Sequence, residues 1–180
     1  MPDPAARPLI LGRELIATPI GVIVLLTDEQ GRIRTLDWDD HQERTRRLLR
    51  LHYGDGGVSL GDHGPPSAAR AALEAYFAGD LHALDDLEVE TAGTPFQRVV
   101  WAALRRIPVG ATLTYGALAA KIGRPSAVRA VGLANGANPI GVVAPCHRVI
   151  GADGSLTGYG GGLPRKRWLL EHEGAKLRAD

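Results

Sequence analysis

The sequence predicts an α+β fold in two parts, a small sheet-and-helix domain over residues 1–90 and a mainly helical domain over residues 91–180. Three observations lead there. Apolar residues alternate at a period of two near the amino end, and after residue 93 helix caps and helical spacing take over. Charge divides at the same place. Residues 1–90 carry 9 Lys/Arg against 16 Asp/Glu, a net of −7, and residues 91–180 carry 12 against 4, a net of +8, inside a total of only +1. One half facing a polyanion would produce this asymmetry, and so would two halves of one globule attracting each other; the two effects are compatible.

The remaining composition mostly excludes. With 44% hydrophobic and 23% charged residues in 180, a buried core is within reach and wholesale disorder is not expected. The single cysteine, Cys146, can form neither an internal disulfide nor a multi-cysteine zinc site. The best apolar run, Ile20 to Leu26, is strand-sized rather than membrane-spanning. The amino end shows no basic head and no apolar signal core, so the expected compartment is reducing and cytoplasmic.

Taken in order, residues 1–8 read as a loose leader. From Glu14 to Trp38 the pattern is strand, turn, strand. IATPIGVIVLLT forms the first strand, with Ile20, Val22, Val24 and Leu26 on one face; Asp28 to Gly31 turn a hairpin; RIRTLDW returns. Residues 41–51 make an amphipathic helix, and 54–64 a surface loop. His52, Asp55, Asp62 and His63 lack the regular spacing of metal ligands, so no metal site is expected. A helix over Pro66 to Ala78 turns Ala69, Leu73, Tyr76 and Phe77 to one side, and a short strand at 87–90 ends the acidic half, whose role is read as structural.

The basic half opens on a strong helix signal: Thr94 as N-cap, Pro95 at the first position, and Gln97 completing a capping box. Thr114 caps a second helix over Tyr115 to Ile122, and Pro125 or Ser126 opens a third that runs to about Asn135. Two short helices with a tight Gly123-Arg124 link suggest a helix-turn-helix. Its second helix carries small residues at Ser126, Ala127, Ala130 and Ala134, and Arg129 is its one long basic side chain. Such small residues let the helix backbone come very close to DNA, as a minor-groove approach requires, and suit reading of base edges less well. A last helix runs from Leu163 to Glu173 and stops at Gly174.

Cys146 stands between Pro145 and His147, read here as the end of a strand. Beside His147 and Arg148 it has the ingredients of an activated thiolate; the plainer reading is a small buried hydrophobe next to a core histidine. PCHRVI at 145–150 resembles the active-site motif of the O6-alkylguanine-DNA alkyltransferases, which remove alkyl groups from damaged DNA bases. The resemblance extends through GTPFQRVVWAAL (93–104), TYGALA (114–119), RAVGLANGANP (129–139) and GYGGGLPRKRWLLEHEG (158–174), nearly the whole basic half and colinear. It implies a ribonuclease-H-like first domain and a winged-helix-like second one.

It also implies roles. Cys146 would accept the alkyl group, His147 act on it through a water, and Glu173 orient His147. Asn138 would be the hinge tying the recognition helix to the active-site segment, and Tyr159 a donor to the base, with Val143, Pro145 and Gly160 around the pocket. Arg129 would fill the hole left by a flipped nucleotide and Tyr115 crowd its phosphate, with Ser126, Ala127, Ala130 and Asn135 on the DNA face. Arg165, Lys166 and Arg167 could contact phosphate or simply solvate a helix start. Many members have serine after the pocket tyrosine; here Gly160 stands there, so a hydroxyl donor is missing or replaced, and the glycines at 160–162 could leave room for larger alkyl groups.

The expected chemistry is attack of sulfur on an alkyl carbon. That gives a thioether, which a histidine and a water cannot cleave, so each molecule works once, as a monomer, on double-stranded DNA carrying O6-alkylguanine or O4-alkylthymine, with no cofactor and no membrane. Two rivals remain: a non-enzymatic binder of alkylated bases, which generally lacks the cysteine, and a cysteine hydrolase of acyl type, which would turn over and would leave Arg129 unexplained.

Overall fold

The structure is a computed structural model and describes residues 7–61 and 66–179. The acidic half builds a four-stranded sheet from β1 (Leu9–Thr18), β2 (Gly21–Thr27), β3 (Ile33–Trp38) and β4 (Val58–Gly61), in the order β3-β2-β1-β4. The β1–β2 and β2–β3 pairs are antiparallel and β1–β4 is parallel. Helix α1 (Gln42–Tyr53) lies between β3 and β4 in the chain, and α2 (Ala68–Phe77) follows, capped by the Ser67 side chain on the Arg70 N–H.

The run IATPIGVIVLLT is therefore two strands rather than one. Thr18 pairs with Gly21, and Pro19 and Ile20 make the turn between them. Pro19 has no N–H to give a ladder, Gly21 takes a φ of +129°, and the Thr18 hydroxyl donates to the Gly21 carbonyl at 2.6 Å. The expected face breaks up accordingly. Ile20 packs on the main core, Val22 is exposed, and Val24 and Leu26 join Leu11 in a small cluster beneath Leu49 of α1 and Val58 of β4. Ile23 and Leu25 point the other way, so β2 is buried on both faces, which explains its unbroken apolar run. The expected loop at 54–64 contains β4, and the expected strand at 87–90 is only a bridge between Val89 and Ile33. Asp62 and His63 lie outside the described residues; among those described, no group of three His, Cys, Asp or Glu could hold a metal. No described helix is long and apolar enough to cross a membrane.

The basic half is α3 (Pro95–Leu104), β5 (Leu113–Thr114), α4 (Tyr115–Lys121), α5 (Val128–Gly136), β6 (Val149–Ile150) and α6 (Leu163–His172). Both bonds of the capping box form at α3: Gln97 N–H donates to Thr94 Oγ1, and Thr94 N–H to Gln97 Oε1. The Trp101 indole of α3 donates to the Ala134 carbonyl of α5, and its ring lies 2.6 Å from where a Cβ on Gly93 would stand. Thr114 caps α4 as expected, whereas α5 begins at Val128, two or three residues later than the sequence suggests.

One core runs through both halves. Ile23, Leu25, Leu73 and Tyr76 belong to the same buried cluster as Val100, Trp101, Val131 and Leu169. Backbone joins them too: the Leu36 N–H of β3 donates to the Pro139 carbonyl at 2.9 Å, just beyond α5. In the second sheet β5 pairs with β6 in parallel, which sets the start of α4 beside the segment leaving Cys146. The segments that carry the site are thus fastened to the sheet of the other half.

Candidate active site

The chain reaches Cys146 through two tight turns. Val142 has a φ of +70°, rare for a β-branched residue, and the Val143 N–H closes a three-residue turn on the Gly141 carbonyl at 2.8 Å. A second such turn at Pro145 brings the Cys146 N–H to the Ala144 carbonyl at 2.7 Å. Cys146 then starts a short 3₁₀ turn through Arg148 and precedes β6, so it opens a turn instead of ending a strand. Asn138 holds the arrangement: its Nδ2 donates to the Ala144 carbonyl at 2.8 Å and its Oδ1 accepts from the Ile140 N–H at 3.0 Å.

Behind the cysteine lies a buried charged cluster. His147 is fully buried, and its Nε2 meets Glu173 Oε1 at 2.9 Å. Arg148 grips the same carboxylate with Nε on Oε2 at 2.9 Å and Nη2 on Oε1 at 2.8 Å, and its Nη1 donates to the Ile107 carbonyl. The Tyr76 hydroxyl of α2 donates to Glu173 Oε1 at 2.8 Å. Burial alone would raise the Glu173 pKa, but the hydrogen bonds from His147 and Arg148 outweigh it and hold the carboxyl well below the usual range. Burial, only partly opposed by Glu173, pushes the His147 pKa down, so the ring is neutral. Its Nδ1 is buried and bonds to no group among the described residues.

Cys146 is 7% exposed and opens onto a narrow cleft that it lines with Asn138, Tyr159, Gly160, Trp38 and Arg44. Burial pushes its thiol up; Asn138 and the charges of Arg44 and Lys166 pull the other way without prevailing. The resting group is a thiol, in place of the thiolate its neighbours suggest in sequence. Arg148, read as a possible activator, is spent on Glu173. Among the described residues the Tyr159 hydroxyl is buried with no partner at full hydrogen-bond geometry, and burial and then Cys146 keep its phenol well above the ordinary value, with the nearby Trp38 indole pulling the other way. Val143 and Pro145 are buried, but their side chains border a different groove, beside Arg105, Ile107 and Arg148.

Two expected features change at Gly160 and the helix after it. A Cβ on Gly160 would stand 3.2 Å from Arg44 Nε, and one on Gly161 would stand 2.5 Å from Trp38 Nε1 and 2.7 Å from the Tyr159 ring. At Gly160 and Gly161 protein already borders the room expected there, whereas a Cβ on Gly162 would meet only Pro164, at 3.8 Å. Arg165 stacks on Trp38 at 4.4 Å and pairs with Asp40 at 2.9 and 3.0 Å, and Lys166 is fully buried. Lys166 Nζ donates to the carbonyls of Val149, Thr157 and Gly158 at 2.6, 2.8 and 3.2 Å, which fastens the Tyr159 loop. Neither side chain is set for phosphate. Burial lowers the Lys166 pKa to about 8. A ¹⁵N titration of its Nζ is therefore expected to show a midpoint near pH 8, and a midpoint near the ordinary 10.5 would refute this burial.

On α5, Ser126 just before the helix, Arg129 and Ala130 are exposed, Ala127 is half-buried, and Leu133 is 71% exposed. Ala134 and Asn135 turn inward, contrary to the sequence reading. With Val131 and Asn138 they follow the i, i+3, i+4, i+7 spacing of a buried face, and Asn135 borders the Cys146 cleft instead of the outer surface. Tyr115 is half-buried, its hydroxyl donating to the Thr157 carbonyl at 3.2 Å. Tyr76, Trp38 and Arg44 were missed altogether. All three come from the acidic half, and only long-range packing brings Trp38 and Arg44 to the Cys146 cleft and Tyr76 to Glu173.

Comparison with known proteins agrees with this arrangement. Residues 95–175 match the family model described as 6-O-methylguanine DNA methyltransferase, DNA binding domain, and residues 11–91 match the one for its ribonuclease-like domain. The chain is 53% identical over 169 residues to a methylated-DNA–protein-cysteine methyltransferase of Salmonella typhimurium, covering 94% of this chain and 99% of that protein. The crystal structure of Mycobacterium tuberculosis OGT in complex with DNA superposes with a TM-score of 0.74 at 44% identity, covering 90% of this chain and 92% of that one. An O6-methylguanine-DNA methyltransferase from Pyrococcus kodakaraensis superposes with a TM-score of 0.69 at 29% identity, covering 92% and 99%. The chain thus belongs to the 6-O-methylguanine DNA methyltransferase family, DNA-repair alkyltransferases that take the alkyl group onto a cysteine of their own.

Proposed function

We propose that this chain docks on duplex DNA through α5, turns an alkylated nucleotide out of the stack, and takes the alkyl group from guanine O6 or thymine O4 onto Cys146. The observation that carries the reading is the thiol itself: a buried cysteine opening onto a cleft beside a buried phenol, followed by a histidine tied to a buried carboxylate.

The exposed Ser126, Arg129 and Ala130 let the start of α5 come close to the minor groove, and the Arg129 guanidinium occupies the gap left by the nucleotide. Flipping costs roughly a few kcal/mol, least at a weakly paired lesion. Tyr115 crowds the phosphate beside it. In the cleft the Tyr159 hydroxyl meets the base, together with backbone groups of the Val143 to Cys146 turns.

The resting thiol is protonated, so its proton must leave as attack begins. Neutral His147 is the acceptor, through a water held at Nδ1, and Glu173 stabilises the imidazolium that forms. The S–C bond forms as the C–O bond breaks, and that electron pair stays with the base oxygen. The Tyr159 hydroxyl gives a proton to the leaving base and is reprotonated through water from the His147 imidazolium, so the proton the base gains balances the one the thiol lost. Contacts to phosphate supply sequence-independent affinity that falls with salt. The protein acts as a monomer in the cytoplasm and needs no cofactor.

The test is intact-protein mass spectrometry after mixing with duplexes carrying O6-methylguanine, O4-methylthymine or no lesion. A gain of one methyl group from each damaged duplex and none from the third supports the reading. Tight binding without a gain points to a non-enzymatic binder, and loss of the lesion without a gain points to a hydrolase.

A further inference from the structure

Arg44 comes from the acidic half, yet it borders the Cys146 cleft. It is held from three sides. Nη1 donates to Asp37 Oδ2 at 2.6 Å, and Nη2 donates to the carbonyls of Gly136 at 2.8 Å and Asn138 at 3.0 Å. Its side chain is 17% exposed. Nε–H and the second Nη1–H meet no acceptor among the described residues, and Nε lies 3.2 Å from where a Cβ on Gly160 would stand. A donor fixed on the lining of the cleft, and open to it rather than sealed from solvent, is free to bond a ligand there.

The neighbour it faces is the position where this chain departs from many members of its family, glycine standing in place of the serine after the pocket tyrosine. We propose that Arg44 takes over the serine's part: its Nε–H donates to the base oxygen from which the alkyl group departs. The inference rests on the alkyl-transfer reading above. As the S–C bond forms and the C–O bond breaks, negative charge grows on that oxygen, and a preorganised cationic donor stabilises it more than it stabilises the bound substrate. Arg44 gives up no proton; the thiol's proton still goes to His147. The same positive charge favours the departing thiol proton, with Asp37 opposing it. Under this assignment the acidic half supplies part of the transfer chemistry.

The experiment compares wild type, Arg44→Met, Gly160→Ser and the double variant for methyl transfer at saturating damaged duplex, with DNA affinity and Tm measured alongside. Arg44→Met is expected to slow transfer by about 10- to 100-fold. Gly160→Ser is expected to slow wild type slightly, since its Cβ crowds the guanidinium, but to recover about fivefold or more in the Arg44→Met background, where the hydroxyl replaces the lost donor. That reversal of sign is not expected of a side chain that merely ties the two halves together. Should Arg44→Met fold poorly, Arg44→Lys keeps a charge near Asp37 but removes Nε–H, and the same loss and rescue are expected. A loss that serine does not rescue, or one that only tracks lost DNA affinity, overturns the assignment while leaving alkyl transfer intact. Failure of wild type to gain a methyl group overturns both.

Discussion

Glu173→Gln is expected to lower the free energy of unfolding by about 3–5 kcal/mol, the range seen when one partner of a buried ion pair is removed. Transfer at saturating damaged duplex should also slow by roughly 100-fold or more. Both effects arise from the same atoms. Glu173 Oε1 receives Tyr76, His147 and Arg148, and Oε2 receives a second bond from Arg148. An amide in its place leaves a buried guanidinium without a counter-charge and sets an N–H against one of these donors. It also removes the charge that stabilises His147 once protonated. The stability gap between wild type and variant should itself depend on pH. The Glu173 carboxyl is depressed in the folded protein, so its contribution is present in full above the ordinary 4.5 and shrinks as pH falls toward the folded value. Urea unfolding of both proteins at neutral pH and below pH 4.5 checks this. A gap that stays constant would show that the carboxylate is not held as described.

Arg129→Ala is expected to slow transfer from duplex DNA by on the order of 10- to 100-fold, because part of a flipping cost of roughly a few kcal/mol goes uncompensated. A single-stranded oligonucleotide with the same lesion has no gap to fill, so the two proteins should react with it at nearly equal rates. Arg129 is exposed, so its removal is expected to change stability by no more than about 0.5 kcal/mol. Its removal should also flatten the salt dependence of duplex binding by about one phosphate contact at most. Single-turnover rates on matched duplex and single-stranded substrates make the comparison. An equal loss on both would remove Arg129 from flipping.

Much of the basic half was readable because its signals are local. The capping box at Thr94 and Gln97, the cap at Thr114 and the stop at Gly174 each depend on a few neighbouring residues, and each stands where the sequence puts it. The motif around Cys146, PCHRVI, is likewise a short local run and carries the family resemblance by itself. What failed depended on longer range or on phase. Pro19 and Gly21 signal a turn, but the apolar run around them masks it, because β2 is covered on both faces. From sequence, Ala134 is placed outward because it is small and Asn135 because of the family resemblance, whereas the i, i+3, i+4, i+7 spacing from the buried Val131 puts both on the inner face. Lys166 reads as a surface charge in any window of sequence, and only the carbonyls of Val149, Thr157 and Gly158 explain its burial. Arg44 and Tyr76 reach the site from helices α1 and α2, far away in the chain, and their neighbours along the sequence give no hint of it.

The charge division keeps its double meaning. Arg165 pairs with Asp40 across the two halves, so some of the opposite charge is used in holding them together. Arg129 remains on the open face of α5.

The central claim is that Cys146 both performs the transfer and keeps its product. The most direct measurement mixes the protein with an excess of duplex carrying one O6-methylguanine, follows loss of the lesion, and then maps the methyl group in proteolytic fragments. The account expects lesion loss to stop at one equivalent per chain, with the methyl group on the fragment containing Cys146 and no transfer by Cys146→Ala. Lesion loss continuing past one equivalent, or a methyl group on any other residue, would contradict it.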